Sequence, residues 1–105
     1  MNEKVLAKRH LALLVPLDAQ EILLLGGQSR TETLDDLCVY ESVTHSVLKS
    51  SFKAPFPLSC PLNQCQVDRR GDIIALVVHQ ANLLLVRFTP KHENLLTLRN
   101  FGKFF

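Results

Sequence analysis

The chain has 105 residues, 47% of them hydrophobic and 21% charged, with a formal net charge of +2. That length fits one small domain. The composition excludes a disordered chain, which combines low hydrophobicity with high net charge. The near-neutral balance also lacks the strongly basic character of a nucleic-acid domain.

Residues 11–17 are apolar and run into a turn at Pro16-Leu17-Asp18-Ala19-Gln20. Residues 21–25 form a short Ile/Leu run that stops at Gly26-Gly27. A short apolar run between turn signals reads as a buried strand. Residues 28–36 are polar and read as a loop, and residues 37–40 as a strand. Glu41-Ser42-Val43-Thr44 is a turn, and residues 45–52 form a fourth, outer strand. Pro55, Pro57 and Pro61 make residues 54–65 a loop. Residues 64–67 lead to a turn at Asp68-Arg69-Arg70-Gly71, followed by a strand over 72–78. His79-Gln80-Ala81-Asn82 is a short connection, then residues 83–88 are a strand, 89–93 a turn and 95–101 the last strand. Residues 1–10 are open to two readings, one helical turn or the tail of an outer strand in which Val5-Leu6 echoes Val47-Leu48.

The same pattern therefore occurs twice. Ile22-Leu23-Leu24-Leu25-Gly26-Gly27 is answered by Ile73-Ile74-Ala75-Leu76-Val77-Val78, a shift of 51. Leu37-Cys38-Val39-Tyr40 is answered by Leu85-Val86-Arg87-Phe88, and Val47-Leu48 by Leu95-Leu96, both at a shift of 48. Self-similarity at such periods marks repeat architectures, whose units bury their apolar faces only by stacking.

The first unit resembles a kelch motif: a hydrophobic strand ending in Gly26-Gly27, a polar loop, then Asp35-Asp36 and a strand ending in Tyr40. Arg9-His10 is similar to the opening of that family's first strand. The aliphatic residues Val47 and Leu95 fall near the family's Trp position, and the chain has no Trp. In the second unit Val77-Val78 and Phe88 replace Gly-Gly and Tyr. The resemblance implies an all-β fold of two four-stranded antiparallel blades, about 8–52 and 62–101, forming part of a propeller. Gly26 and Gly27 would allow a backbone turn where a side chain clashes. Tyr40 would pack between sheets and bond through its hydroxyl. The acidic residues before the third strand would make turn hydrogen bonds. Propellers take 4 to 8 blades, and a bare blade face projects roughly 300 Å². Further blades or self-association are therefore expected to cover the open faces.

The chemistry-bearing residues point away from catalysis. Cys60 and Cys65 lack the second ligand pair that zinc requires. Cys38 sits in an interior strand, and Asp35-Asp36 would point to opposite faces. Gly26-Gly27 lacks the remainder of a phosphate loop. Lys8-Arg9 and Arg69-Arg70 have no interleaved aromatics for nucleic acid to stack on. No metal, cofactor or nucleic acid is expected. Kelch-type propellers commonly bind proteins through one loop rim, which here implies residues 28–36, 53–62 and 79–82, with Gln28, Arg30, Glu32, His79 and Gln80 as partner-binding candidates. The expected function is a non-catalytic protein-interaction scaffold. The alternatives are a fragment of a propeller enzyme of oxidase or lyase type, or a small α/β or α+β structural subunit of a larger assembly, with residues 1–15 helical. An odd cysteine count, no apolar leader and no apolar run near 18 residues lead to an expected cytoplasmic location without membrane association.

Overall fold

The computed structural model describes residues 9–104. The expectations for residues 1–8, including the Val5-Leu6 echo, lie outside the described residues. The eight strands are β1 (Leu13–Pro16), β2 (Glu21–Leu25), β3 (Asp36–Glu41), β4 (Ser46–Lys53), β5 (Cys65–Val67), β6 (Ile73–His79), β7 (Asn82–Thr89) and β8 (Asn94–Lys103). Among the described residues one 3-10 turn, Pro90–His92, precedes β8. The strands form two four-stranded sheets, in the orders β1-β2-β3-β4 and β5-β6-β7-β8. Every pairing is antiparallel. The protein is all-β, as the sequence predicts. The α/β alternative fails at Leu13–Pro16, which is extended.

The sheets share one core. From the first sheet come Leu13, Val15, Leu23, Leu25 and Leu37, and from the second Ile73, Ala75, Val77, Leu84, Val86, Phe88 and Leu95. The connecting segment adds Ala54, Leu58 and Cys60, so the proline-rich loop is partly core. The rings of Phe52 and Phe88 bridge the sheets, with centroids 5.4 Å apart. The Ser50 hydroxyl of β4 also donates to the Glu93 carboxylate beyond β7.

The two sheets share their register as far as Cys38↔Lys49 and Val86↔Thr97, and differ by one residue beyond it, where Asp36 pairs with Lys53 but Leu84 with Asn100. Leu14↔Leu24 in the first corresponds to Cys65↔Ala75 in the second, at a shift of 51. Leu25↔Leu37 corresponds to Leu76↔Leu85, and Ile22↔Tyr40 to Ile73↔Phe88. Tyr40↔Val47 corresponds to Phe88↔Leu95, at a shift of 48. The third hairpin fixes this register. Both units place four residues between Glu41↔Ser46 or Thr89↔Asn94, and both put the last of the four in the left-handed region, His45 at φ 53 and Glu93 at φ 47. The drop from 51 to 48 reflects the shorter β6–β7 turn, where Gln80 (φ 49) and Ala81 (φ 65) are both left-handed. Thus β6 continues through Val77-Val78 and does not break as β2 does at Gly26.

Equivalent residues use opposite faces for the shared core. Leu23, Leu25 and Leu37 point to the second sheet, while their counterparts Ile74, Leu76 and Leu85 lie on that sheet's outer side and are only half-buried. Conversely Leu24, Cys38, Tyr40 and Val47 form a cluster on the first sheet's outer side, while their counterparts Ala75, Val86, Phe88 and Leu95 are core. In a strand a one-residue change of register exchanges faces. The preserved register with exchanged faces therefore means that the units stack front to back, like successive members of an array. One expectation changes as a result. Tyr40 does not pack between the two sheets. It lies with Ile22 and Leu24 on the far side of the first sheet, and its hydroxyl is 3.0 Å from His45 Nδ1.

Gly26 and Gly27 behave as their conformational freedom requires. Their φ values are 68 and 103, and a Cβ on Gly26 would fall 2.5 Å from the Leu58 carbonyl oxygen. That close approach lets the Gly27 N–H donate to the Leu58 carbonyl at 2.8 Å. It anchors the connecting segment across the end of β2. Gly71 also has positive φ, but a Cβ there meets nothing within 4 Å. Gly71→Ala therefore pays only the left-handed backbone term, about 1–2 kcal/mol, whereas Gly26→Ala adds a backbone clash. Urea unfolding of the two variants should show the larger loss for Gly26→Ala; equal losses would mean that the Leu58 contact contributes nothing.

Candidate functional site

Three chain segments converge at one end of the sheets. The loop after β2, the connecting segment and the β6–β7 turn line a cleft of about 410 Å³ formed by Gln28, Thr33, Pro57, Ser59, Val78, His79, Gln80 and Ala81. Backbone pairing holds each wall. Gln28 bridges to Thr33 and, on its other side, to His10. Ser59 bridges to Val78, with Ser59 N donating at 3.1 Å and Val78 N returning a bond at 2.8 Å. The Leu58 N–H donates to the Leu34 carbonyl at 3.0 Å, tying the connecting segment to the loop.

The imidazole of His79 is fixed from two sides. Its ring lies against Phe56, with centroids 4.5 Å apart, and Nδ1 is 2.8 Å from the Pro57 carbonyl oxygen. The carbonyl only accepts, so Nδ1 carries the proton. In the neutral ring Nε2 is then an acceptor. The cleft lining contains amides, hydroxyls and one imidazole, and no carboxylate, Lys or Arg.

Of the five partner-binding candidates, the fold brings together Gln28, His79 and Gln80. Arg30 and Glu32 are exposed at the tip of the same loop, outside the lining. Ser29 shapes that tip: its hydroxyl oxygen accepts from Thr31 N at 3.3 Å and Glu32 N at 3.2 Å, and its N–H donates to the Glu32 carbonyl at 2.8 Å. Sequence reasoning missed Thr33, Pro57 and Ser59. The loops containing them were in view, but nothing in the sequence indicated which of their residues would turn inward.

Several ionisable groups elsewhere make contacts within the fold. Arg9 Nη1 donates to Asp36 Oδ1 at 2.7 Å and Arg9 Nη2 to Asp36 Oδ2 at 2.9 Å. The same guanidinium reaches the Gly26 carbonyl at 3.2 Å. The two side chains are 8% and 10% exposed. Asp36 is thus paired with buried Arg9, with the more exposed Lys49 Nζ 3.8 Å from its Oδ2, in place of the turn hydrogen bonds expected of it, and Arg9 is not available to a surface basic patch. The hydrogen bonds from Arg9 hold the Asp36 carboxyl below its ordinary range, against the opposing effect of burial. Those bonds likewise raise Arg9. Burial pushes the Cys38 and Cys60 thiols up, which favours the less nucleophilic protonated form. The Cys60 thiol donates to the Leu76 carbonyl at 3.2 Å. On the second sheet Arg87 bonds Asp68 at 2.9 Å and Asp72 at 3.1 Å, and the bonds to Asp72 and Asp68 raise its pKa. Among the described residues, no group of three or more His, Cys, Asp and Glu is placed to share a metal ion. Among the same residues, no helix is long and apolar enough to cross a membrane.

No family model matches the chain, and no curated protein matches it.

The Asp36 carboxyl is lowered in the folded state, so its contribution to stability is complete above the unfolded value of about 3.9 and is lost as pH falls through the lower folded value. Removing one member of a buried pair costs about 3–5 kcal/mol. Asp36→Asn should therefore be less stable at neutral pH by about that amount, and its stability should vary less than the wild type's in the acid range. Denaturant midpoints measured as a function of pH check both; parallel pH profiles would remove the assigned role of the pair.

Proposed function

We propose that the chain is a non-catalytic protein-interaction scaffold of kelch-like type, its two blades forming part of a propeller. In this reading the cleft between the loop rims takes an extended segment of a partner protein. The observation that carries it is the convergence of three loops, from both sheets and the connection between them, on one cleft. Recognition residues concentrate on loops held by such scaffolds.

The chemistry of the lining supports a peptide ligand. Gln28 and Gln80 offer amides that both donate and accept, Thr33 and Ser59 offer hydroxyls, and His79 offers an imidazole. These groups match peptide N–H and C=O groups. The absence of charge in the lining gives no preference for an ionic ligand. Arg30 and Glu32, at the exposed loop tip, would flank a bound segment and adjust its specificity. The elevated thiols of Cys38 and Cys60 support a structural, non-nucleophilic role. All three cysteines are free, which suits a reducing setting such as the cytoplasm.

Peptides selected on the folded chain from a random displayed library provide the test. Truncating a central contact typically costs more than about 1 kcal/mol, roughly fivefold in affinity. His79→Ala and Gln80→Ala should each weaken a selected peptide by at least that factor; Gln80→Ala should leave the unfolding midpoint nearly unchanged, while His79→Ala should also lower it because the bond to the Pro57 carbonyl is lost. Arg30→Ala and Glu32→Ala should have smaller effects. Affinities indifferent to all these changes would remove the rim from the function.

A further inference from the structure

Among the described residues β8 is the longest strand, and it is the last strand of the second sheet. It pairs with β7 alone. Beyond that ladder, no main-chain hydrogen bond among the described residues involves residues 94–103. The outer edge of β8 therefore presents N–H and C=O groups that the fold does not pair. Residues 94–97 keep a regular register, from Thr89↔Asn94 to Val86↔Thr97, and the irregularity comes after them, before Leu85↔Arg99. A bulge bends its strand, so the straight part of the open ladder is 94–97.

The side chains along this edge have one chemical character. Leu96, Leu98 and Phe101 are 52%, 47% and 49% exposed. Arg99 and Lys103 are exposed, and residues 94–103 contain no Asp or Glu. The Arg99 guanidinium lies 5.0 Å from the centre of the Phe101 ring. Proteins blunt an open edge with charges and bulges. Here both devices lie beyond Thr97 and leave 94–97 unprotected.

Charge decides what kind of strand this edge takes. Pairing β8 with β8 of a second copy would bring Arg99 and Lys103 of both chains into one ribbon without a carboxylate, and neighbouring like charges are destabilising. We infer that β8 takes an extended acidic segment of a partner protein as a fifth strand of the second sheet, antiparallel like every other pairing in the molecule. The segment's main chain bonds residues 94–97, its apolar side chains flank Leu96 and Leu98, and its carboxylates reach Arg99 and Lys103. In strand addition of this kind the main chain supplies affinity and the side chains supply selectivity. Blades stacked on the sheet faces would leave this edge free, so the inference rests neither on further blades nor on the rim cleft.

The probe is a synthetic peptide of three glutamates followed by five alternating threonines and valines. It is N-methylated on alternate residues, so that it hydrogen-bonds along one edge and cannot self-assemble. Two controls are the same peptide N-methylated throughout and the same peptide with lysines for glutamates. In the free chain, amide exchange should be fast at those of residues 94–97 whose N–H points away from β7. With the probe at about ten times its dissociation constant, exchange there should slow about tenfold. Neither control should slow it. Arg99→Glu combined with Lys103→Glu should weaken the glutamate peptide by about tenfold, since two exposed pairs turn from attraction to repulsion. The same variant should prefer the lysine peptide, which also shows that it is folded. Amides of 94–97 that are all protected in the free chain overturn the inference, because the edge is then already covered. A fully methylated peptide that binds as well as the probe overturns it, because charge attraction alone is then sufficient. Absence of slowing with the probe, or an affinity unmoved by the charge reversal, overturns it too. Slowing that follows the protein's own concentration assigns the edge to a second copy and overturns it likewise.

Discussion

Both faces of the central strands are apolar, and this constraint governs the architecture. In β2, Leu23 and Leu25 point one way and Ile22 and Leu24 the other. In β7, Leu84 and Val86 are core while Leu83 and Leu85 lie on the opposite side and are half-buried. A sheet of this kind has to be covered twice. Within the chain each sheet covers the other once, and burying the shared core provides the main driving force for folding. At the base of that core Leu58 is fully buried, and its carbonyl accepts the Gly27 N–H. The Gly26-Gly27 pair admits this approach because neither residue carries a Cβ. The connecting segment is thereby part of the structural core and also one wall of the cleft.

The polar framework follows from the same geometry. Asp36 starts β3 beside the point where β2 ends, and Arg9 binds both the Asp36 carboxylate and the Gly26 carbonyl. This ion pair holds the start of the described chain against the Gly26 end of β2. The second sheet solves its own problem differently. Arg87 on β7 is held by Asp68 and Asp72 from the β5–β6 turn, and a two-residue left-handed turn replaces the long loop of the first unit. Only the first unit therefore has a loop long enough to supply Gln28 and Thr33 to the cleft, while the second supplies His79 and Gln80 from a tight turn.

Much of this was legible in the sequence. Short apolar runs between Gly, Pro and Asp signals located all eight strands, and the shifts of 51 and 48 matched the pairings except beyond the irregularity in each outer hairpin. What remained hidden was the facing of side chains. Alternation marks a half-buried strand, and runs such as Ile22-Leu23-Leu24-Leu25 do not alternate, so the position of Tyr40 relative to the core could not be read. The burial of Leu58 was masked by Pro55, Pro57 and Pro61, which mark a loop without marking what it packs against. The Arg9–Asp36 pair spans 27 residues, and composition carries no trace of a contact at that range. The rim was legible as a set of loops. Its lining was not, because it depends on how Ser59 bridges to Val78.

The central claim is the front-to-back stacking of equivalent units, and methyl NOE spectroscopy on selectively labelled protein tests it most directly. The account predicts cross-peaks linking the methyls of Val77 and Val86 to those of Leu13, Val15, Leu23 or Leu25, and none linking Leu76 or Leu85 to that set. Cross-peaks from Leu76 and Leu85 to those first-sheet residues, with Val77 and Val86 silent, would contradict it.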